Sequence, residues 1–181
     1  MCCRRARRCI IVTLWLAAAP MSHAEDAVPA AYRWVASAHG VPSALLYAIA
    51  LAESGKTIAS KNDWRPWPWT LNIAGKGVYF STRWQAWRAL DASLQAGETS
   101  VDIGLMQVNW RFHQRQLGNS WLALEPYHNL NVGADILKRC YKKRRDWWSS
   151  VGCYHAPADH PRAKRYQARV AALWRELPEA P

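Results

Sequence analysis

One segment of the chain is apolar on every side of a helix and constrains the fold more than any other. It runs from Leu45 to Ala52 and contains only Leu, Ile, Ala and one Tyr. A helix with no polar face is buried, because none of its sides meets water at low cost. Ser43 precedes the segment and Gly55 follows it, so we expect a core helix that Ser43 caps and Gly55 ends.

Length and composition predict that this helix lies in a single folded domain. The chain has 181 residues, too few to give each of two domains a sizeable core. Hydrophobic residues make up 50% of the chain and charged residues 20%, a balance that excludes a disordered protein. The sequence has no internal repeat of roughly 20 to 50 residues, which excludes solenoids and propellers.

The first 24 residues have the pattern of a secretory signal peptide. Arginines open the chain without any acidic residue, Cys9 to Ala19 form an apolar run, and small residues at Ser22 and Ala24 suit a signal peptidase. The apolar run is about half the length of a membrane span, so a membrane anchor is the weaker interpretation. We predict a signal peptide at residues 1–24, cleaved after about Ala24, and an exported, periplasmic domain at residues 25–181.

Cleavage at that point would leave only Cys140 and Cys153 of the five cysteines. A pair of cysteines in an oxidising compartment forms a disulfide more often than it stays as two free thiols. His155 is the only nearby side chain of the metal-binding type, which is too few for a metal site. We therefore predict a disulfide, with no metal and no cofactor.

The mature protein would also be strongly basic. The formal net charge falls from +11 to +7 without the four leader arginines, since 20 Lys and Arg then face 13 Asp and Glu. Six cations form one cluster: Lys138, Arg139, Lys142, Lys143, Arg144 and Arg145. In an exported protein, this positive charge would attract the protein to the anionic cell wall. The alternatives are a solvated helix end and a nucleic-acid-binding surface. Export argues against nucleic acid as the partner, except during DNA transfer.

The rest of the chain predicts a mainly α fold with one small β-hairpin insertion. Thr70–Ile73 and Val78–Phe80 are β-prone runs around a glycine-containing turn, which indicates the hairpin. Periodic apolar residues and end signals predict further helices at residues 27–39, 82–97, 129–144, 146–156 and 161–177.

Glu53 is the one carboxylate on the buried helix. It lies in the last turn, on one face with Leu46, Ile49 and Ala50. Burial and the negative end of the helix dipole both favour the protonated carboxyl, the form that a general acid needs. The alternative is an ordinary solvated glutamate at a helix end.

Two further segments place polar groups among apolar ones. Val101 to Asn109 carries polar side chains around Gly104, although alone it is also consistent with a helix start and a core methionine. Tyr154 follows Cys153 at a predicted helix end, where a tyrosine most often serves packing. Each signal is weak when it is taken alone.

In their order along the chain, however, four motifs resemble those of the lytic transglycosylase (SLT) domain shared by soluble lytic transglycosylases and goose-type lysozymes. Residues 39–54 resemble the family's first motif, which ends in its catalytic Glu-Ser pair. Gly104–Gln107 matches Gly-Leu-Met-Gln, and Asn129–Gly133 resembles the Asn-Ile-x-x-Gly helix start. Tyr154–Pro157 stands where the family has Tyr-Asn-Ala-Gly. The resemblance covers about residues 28–177 and implies a lysozyme-like globular domain.

The resemblance implies an enzyme that cleaves the β-1,4 bond between N-acetylmuramic acid and N-acetylglucosamine in peptidoglycan. Glu53 would protonate the leaving oxygen and then take a proton from the muramic 6-hydroxyl, which leaves a 1,6-anhydro end. Tyr154 would orient Glu53 or the sugar, and Met106 and Gln107 would line the glycan groove.

A family serine also lies shortly before Gly-Leu-Met-Gln, and either Ser100 or Thr99 takes its place here. No second acid matches a family motif position, because Asp102 and the other acids have ordinary loop or helix explanations. That absence suits a transglycosylase, whose nucleophile comes from the substrate. The alternatives are a lysozyme-like hydrolase and a non-catalytic peptidoglycan-binding adaptor.

The chain departs from the family pattern in two places. The interval between Glu53 and Gln107 is longer than in the shortest members, and His155 and Pro157 replace an Asn and a Gly. A long insertion in a small exported domain resembles the specialised transglycosylases of conjugation and secretion machines, which implies such a complex as partner. Within the insertion, Trp64 and Trp67 are candidates to stack on sugar rings or to pack beneath it.

Overall fold

The computed structural model describes residues 28–58 and 63–177, and eight helices and six strands lie within these residues. The helices are α1 (Ala30–His39), α2 (Ser43–Ser54), α3 (Arg83–Gln95), α4 (Trp110–Leu117), α5 (Ser120–Ala123), α6 (Pro126–Arg144), α7 (Trp147–His155) and α8 (His160–Arg175). The strands are β1 (Gly55–Ile58), β2 (Asp63–Pro66), β3 (Thr70–Ile73), β4 (Lys76–Tyr79), β5 (Val101–Ile103) and β6 (Val108–Asn109). The predicted signal peptide lies outside the described residues.

Helix α2 is the centre of the core, as its apolar sequence predicts. Every residue from Leu45 to Ala52 is buried, and α1 and α8 pack against the helix. Gly55 follows its last residue, as expected. The expected cap is wrong, however: Pro42 is the N-cap residue, Ser43 is the first helical residue, and no side chain caps this end. Proline suits the position because its fixed φ leads the chain into a helix.

The surrounding helices agree with the predicted ones to within a few residues. Gly40 adopts the left-handed conformation that ends α1, and Thr82 and Gln85 form a capping box at the start of α3. Helix α6 begins three residues earlier than expected, because the Glu125 side chain caps it and Pro126 opens its first turn. Short helices α4 and α5 were not expected.

The β structure is larger than a single hairpin. Strands β3 and β4 form the predicted hairpin around a turn at Ala74 and Gly75. That hairpin continues into a four-stranded antiparallel sheet of order β4-β3-β5-β6, while β1 and β2 form a separate two-stranded sheet. The Gly-Leu-Met-Gln motif therefore lies in the loop between β5 and β6 and not at a helix start.

A disulfide joins Cys140 of α6 to Cys153 of α7, as the sequence predicts. The two cysteines are 13 residues apart, and closing a loop of that length stabilises a fold by about 3 kcal/mol on the chain-entropy argument.

We expect the double variant Cys140→Ser/Cys153→Ser to melt roughly 6–12 °C below the wild type, measured by thermal denaturation without reductant. Dithiothreitol should lower the Tm of the wild type and leave that of the double variant unchanged. A wild-type Tm that is insensitive to full reduction would contradict the prediction.

Within the described ranges, no single helix is long and apolar enough to cross a membrane. The pair α1 and α2 passes that test together by length and composition, with a bend of 117° between its two members.

Candidate active site

Glu53 lies at the end of the core helix α2, where the helix meets the sheet region. Its side chain is only 12% exposed, and its Oε1 lies 3.5 Å from Nδ1 of His155 at the end of α7. The buried sequence of α2 fixes the position of this carboxyl, because the preceding turns have no freedom to move within the core. Glu53 thus lies in the last turn of the core helix, with its side chain largely shielded from solvent.

The loop from Gly104 to Gln107 lies beside this helix end. It is a tight connection between β5 and β6, in which the Gln107 N–H donates to the Gly104 carbonyl at 3.3 Å. Gln107 has a φ of 42°, which is uncommon for a residue with a side chain. Its Nε2 donates to the carbonyls of Gly104 (2.9 Å) and Thr70 (3.2 Å), and these bonds stabilise the turn.

Three side chains from separate helices hold the backbone of this loop. The hydroxyl of Ser54, fully buried beside Glu53, donates to the Leu105 carbonyl at 2.8 Å. The hydroxyl of Tyr154 donates to the Met106 carbonyl at 2.6 Å. Asn129 accepts from the Met106 N–H at 3.0 Å. The motifs that are far apart in the sequence therefore meet at one loop.

Two glycines allow the loop to approach helix α6 this closely. Gly104 has a φ of 77°, and a Cβ at this position would lie 2.6 Å from the Asn129 side chain. A Cβ on Gly133 of α6 would lie 2.6 Å from the side chain of Met106. Met106 itself is fully buried. Its side chain is therefore part of the core, which disagrees with the expectation that it lines an open groove.

Two tyrosines lie close to the Glu53 carboxyl. Burial, and to a smaller extent the nearby negative charge of Glu53, raises the pKa of both Tyr154 and Tyr166 well above the ordinary value. The ring of His155 stacks on Tyr166 with a centroid distance of 4.1 Å and an interplanar angle of 3°. Both phenols therefore stay protonated at physiological pH, and the Tyr154 hydroxyl is the donor to the Met106 carbonyl.

A second carboxylate, Asp102 of β5, lies within electrostatic range of Glu53. It is directly opposite Asn72 of β3 and Asn109 of β6 in the sheet register. The Nδ2 atoms of the two asparagines donate to it at 3.0 and 2.7 Å. Burial raises the pKa of Asp102 and the charge of Glu53 adds to the rise, whereas the two amides and His155 oppose it.

The Asn72-Asp102-Asn109 row lies on the face of the sheet opposite the core. Its neighbours along the three strands are buried apolar residues, and successive strand residues point to opposite faces. Those neighbours are Leu71, Val101, Ile103 and Val108. Asp102 on this face lies within electrostatic range of both Glu53 and His155.

The other sequence candidates have different surroundings. The carbonyl of Ser100 accepts from the N–H of Ala74 at 3.0 Å, which places it beside the hairpin turn. The hydroxyl of Thr99 accepts from Arg111 at 3.1 Å. No contact in the described part of the chain joins the side chain of either residue to Glu53. The choice between them as the family serine therefore stays open.

The tryptophans of the insertion differ in exposure. Trp69 packs against the core, and Trp67 donates from Nε1 to the Phe80 carbonyl at 2.7 Å. Trp64 is 46% exposed, and its ring lies directly against Gly55, two residues after Glu53. Trp64 is therefore the best placed of the three to stack on a sugar ring.

Sequence reasoning missed Asp102, Tyr166 and the two asparagines as members of the site. Asp102 lies two residues before Gly104, but only the strand register brings it into line with Asn72 and Asn109. Within the described residues, no group of three or more His, Cys, Asp or Glu side chains is suited to hold a metal ion.

Comparison with known proteins gives one match. The family model described as the transglycosylase SLT domain matches residues 32–173. Neither a curated protein nor a solved structure was found to match the chain. The matched range contains Glu53, the Gly104–Gln107 loop, Tyr154 and Asp102, so the family's span includes every element of the site. The chain belongs to the transglycosylase SLT domain family.

Proposed function

We propose that the protein is a lytic transglycosylase that cleaves peptidoglycan strands between N-acetylmuramic acid and N-acetylglucosamine. The observation that carries the proposal is the placement of Glu53. Its side chain is only 12% exposed at the end of a core helix, in a chain that belongs to the transglycosylase SLT domain family. A shielded carboxyl that borders the site is suited to both donate and accept a proton.

The reaction that we propose has two proton transfers and uses no water. Glu53 donates its proton to the glycosidic oxygen as the bond to the muramic anomeric carbon breaks, which releases the N-acetylglucosamine end. The muramic 6-hydroxyl then attacks the anomeric carbon, and Glu53 takes the hydroxyl proton. This closes a 1,6-anhydro ring and restores the protonated carboxyl.

The products released from purified sacculi test this proposal. Mass spectrometry of the soluble muropeptides distinguishes anhydro-muramic ends from reducing ends, because the two differ by one water. Anhydro ends support the proposal. Reducing ends would identify a hydrolase, and release of nothing, together with binding to sacculi, would indicate a peptidoglycan-binding adaptor.

Hydrolysis is the second candidate, and Asp102 is the observation that favours it. Glycosidases that use water or a covalent intermediate need two carboxylates that flank the scissile bond. Asp102 is close enough to Glu53 for the charge of Glu53 to raise its pKa. A transglycosylase has no such requirement, since its substrate provides the nucleophile.

The variant Asp102→Asn separates the two reactions. If the enzyme is a transglycosylase, we expect it to keep releasing anhydro products, with a rate lowered by no more than about tenfold through the loss of one charged hydrogen-bond network. Rates are measured by quantitative mass spectrometry of released muropeptides. Asp135→Asn, on the surface of α6, is the matched control. A loss as complete as that caused by changing Glu53 would support two-carboxylate chemistry.

We further propose that residues 1–24 direct export to the periplasm and that the protein opens the wall locally for a conjugation or secretion apparatus. The basic, then apolar N-terminus supports export, and the long segment between Glu53 and Gln107 supports specialisation. Cell fractionation of the full chain and of a chain without residues 1–24 tests export. Co-purification from cells that carry such an apparatus tests the partner.

A further inference from the structure

We infer that His155 is a positioning residue for Glu53, with its ring proton directed by Arg162. The inference rests on the proposed function, in which Glu53 is the acid and the base. His155 is the last residue of α7, and its side chain is 26% exposed. The resembled motif has an asparagine at this position, so the contacts of His155 do not follow from the motif.

Arg162 determines which ring nitrogen of His155 carries the proton. Its Nε lies 3.2 Å from Nε2 of His155 and donates to it. A guanidinium has only donors, so Nε2 must be the acceptor in this pair. An imidazole that accepts at Nε2 carries its proton on Nδ1.

The Nδ1–H is the group that faces Glu53. Nδ1 lies 3.5 Å from Oε1 of the carboxyl, and such contacts shorten when a substrate closes the site. Stacking on Tyr166, at a centroid distance of 4.1 Å, opposes rotation of the ring out of this plane. Cys153, two residues earlier, ties the same helix to α6 through the disulfide.

Charged and titratable groups surround His155 from each element that packs near it. Glu53 faces it from α2, Arg162 and Tyr166 face it from α8, and Asp102 of β5 lies within electrostatic range of it. An N–H held against Oε1 restricts rotation of the Glu53 carboxyl group. The second carboxyl oxygen is then the one available to exchange a proton with the substrate.

Nuclear magnetic resonance tests the arrangement without any turnover. Long-range ¹H–¹⁵N spectra show which nitrogen of each imidazole is protonated, and the signals of His155 are those absent from His155→Asn. We expect a protonated Nδ1 in the wild type, a shift toward protonated Nε2 in Arg162→Met, and a changed Nδ1 frequency in Glu53→Gln. A protonated Nε2 in the wild type, or an Nδ1 frequency unaffected by Glu53→Gln, would overturn the inference.

Steady-state kinetics on soluble glycan strands tests the consequence for catalysis. Loss of the contact that restrains the Glu53 carboxyl group predicts that His155→Leu lowers kcat about tenfold, with KM within about twofold of the wild type. His155→Asn retains an N–H donor and should recover most of the lost kcat. His160→Asn, on the exposed start of α8, is the matched control and should match the wild type. Equal kcat values for Leu, Asn and wild type would overturn the inference.

The two experiments separate failure of the inference from failure of the proposed function. A wild type that releases nothing from sacculi counts against the proposed function, while the spectra still decide whether Arg162 and Glu53 set the ring proton. An active wild type with His155 in the other tautomer counts against the inference alone. Melting temperatures of all variants exclude unfolding as the cause of a lower kcat.

Discussion

Replacing Glu53 with Gln is expected to lower muropeptide release by about a hundred- to ten-thousandfold, the range typical for loss of a general acid and base. The amide has nearly the same size as the carboxyl group and keeps the packing at the end of α2. It has no proton of suitable acidity to give to the glycosidic oxygen. The expected Tm lies within about 2 °C of the wild type, measured together with release by mass spectrometry.

The matched control is Glu176→Gln, an exposed glutamate after α8 that undergoes the same change of charge. It should release muropeptides at the wild-type rate. Binding of Glu53→Gln to sacculi, measured by sedimentation, should be retained. Release close to the wild-type rate by Glu53→Gln would refute Glu53 as the acid and base.

Replacing Asn129 with Ala is expected to cause a large loss of stability. Its side chain is 1% exposed and makes three hydrogen bonds to backbone groups. It accepts from Met106 N–H at 3.0 Å and donates to the carbonyls of Ile103 and Ala123 at 2.9 and 3.1 Å. Truncation leaves buried polar groups without this partner, at a cost of about 3 kcal/mol, or a Tm lower by roughly 6–12 °C.

Asn131→Ala is the matched control, because it makes the same change two residues further along α6. Asn131 is more exposed, and it contacts Tyr127 and His39. Its replacement should cost less than about 1 kcal/mol. Chemical denaturation of both variants gives the comparison. Equal losses would show that Asn129 does not hold the Gly104–Gln107 loop in the way that we describe.

The longer helices were predictable because each one carries local signals, whereas the short helices α4 and α5 do not. The apolar run of α2 and the glycines that follow α1 and α2 are such signals, and the structure has all of them. The disulfide followed from the cysteine count. The order of the motifs identified Glu53, Gln107 and Tyr154, which lie at or beside one loop in the structure.

The rest of the site depends on strand register, which cannot be predicted from any local sequence pattern. Asp102 was dismissed because an acid before a glycine has many ordinary explanations. It belongs to the site only because Asn72, 30 residues earlier, lies opposite it in the sheet. The burial of Met106 could not be predicted locally either, because it follows from a close approach to Gly133 in a helix that is distant in the sequence.

The pairing of β3 with β5 has a consequence for how this chain could change over evolutionary time. A segment that lengthens a protein is commonly dispensable, and later deletions can remove it. Here β3 lies between β4 and β5, it contributes buried Leu71 to the core, and it brings Asn72 to Asp102. Excision of the hairpin would uncover the core and remove one of the two amides that hold the second carboxylate. Changes in the exposed strand β4 are therefore expected to be tolerated far more readily than loss of β3.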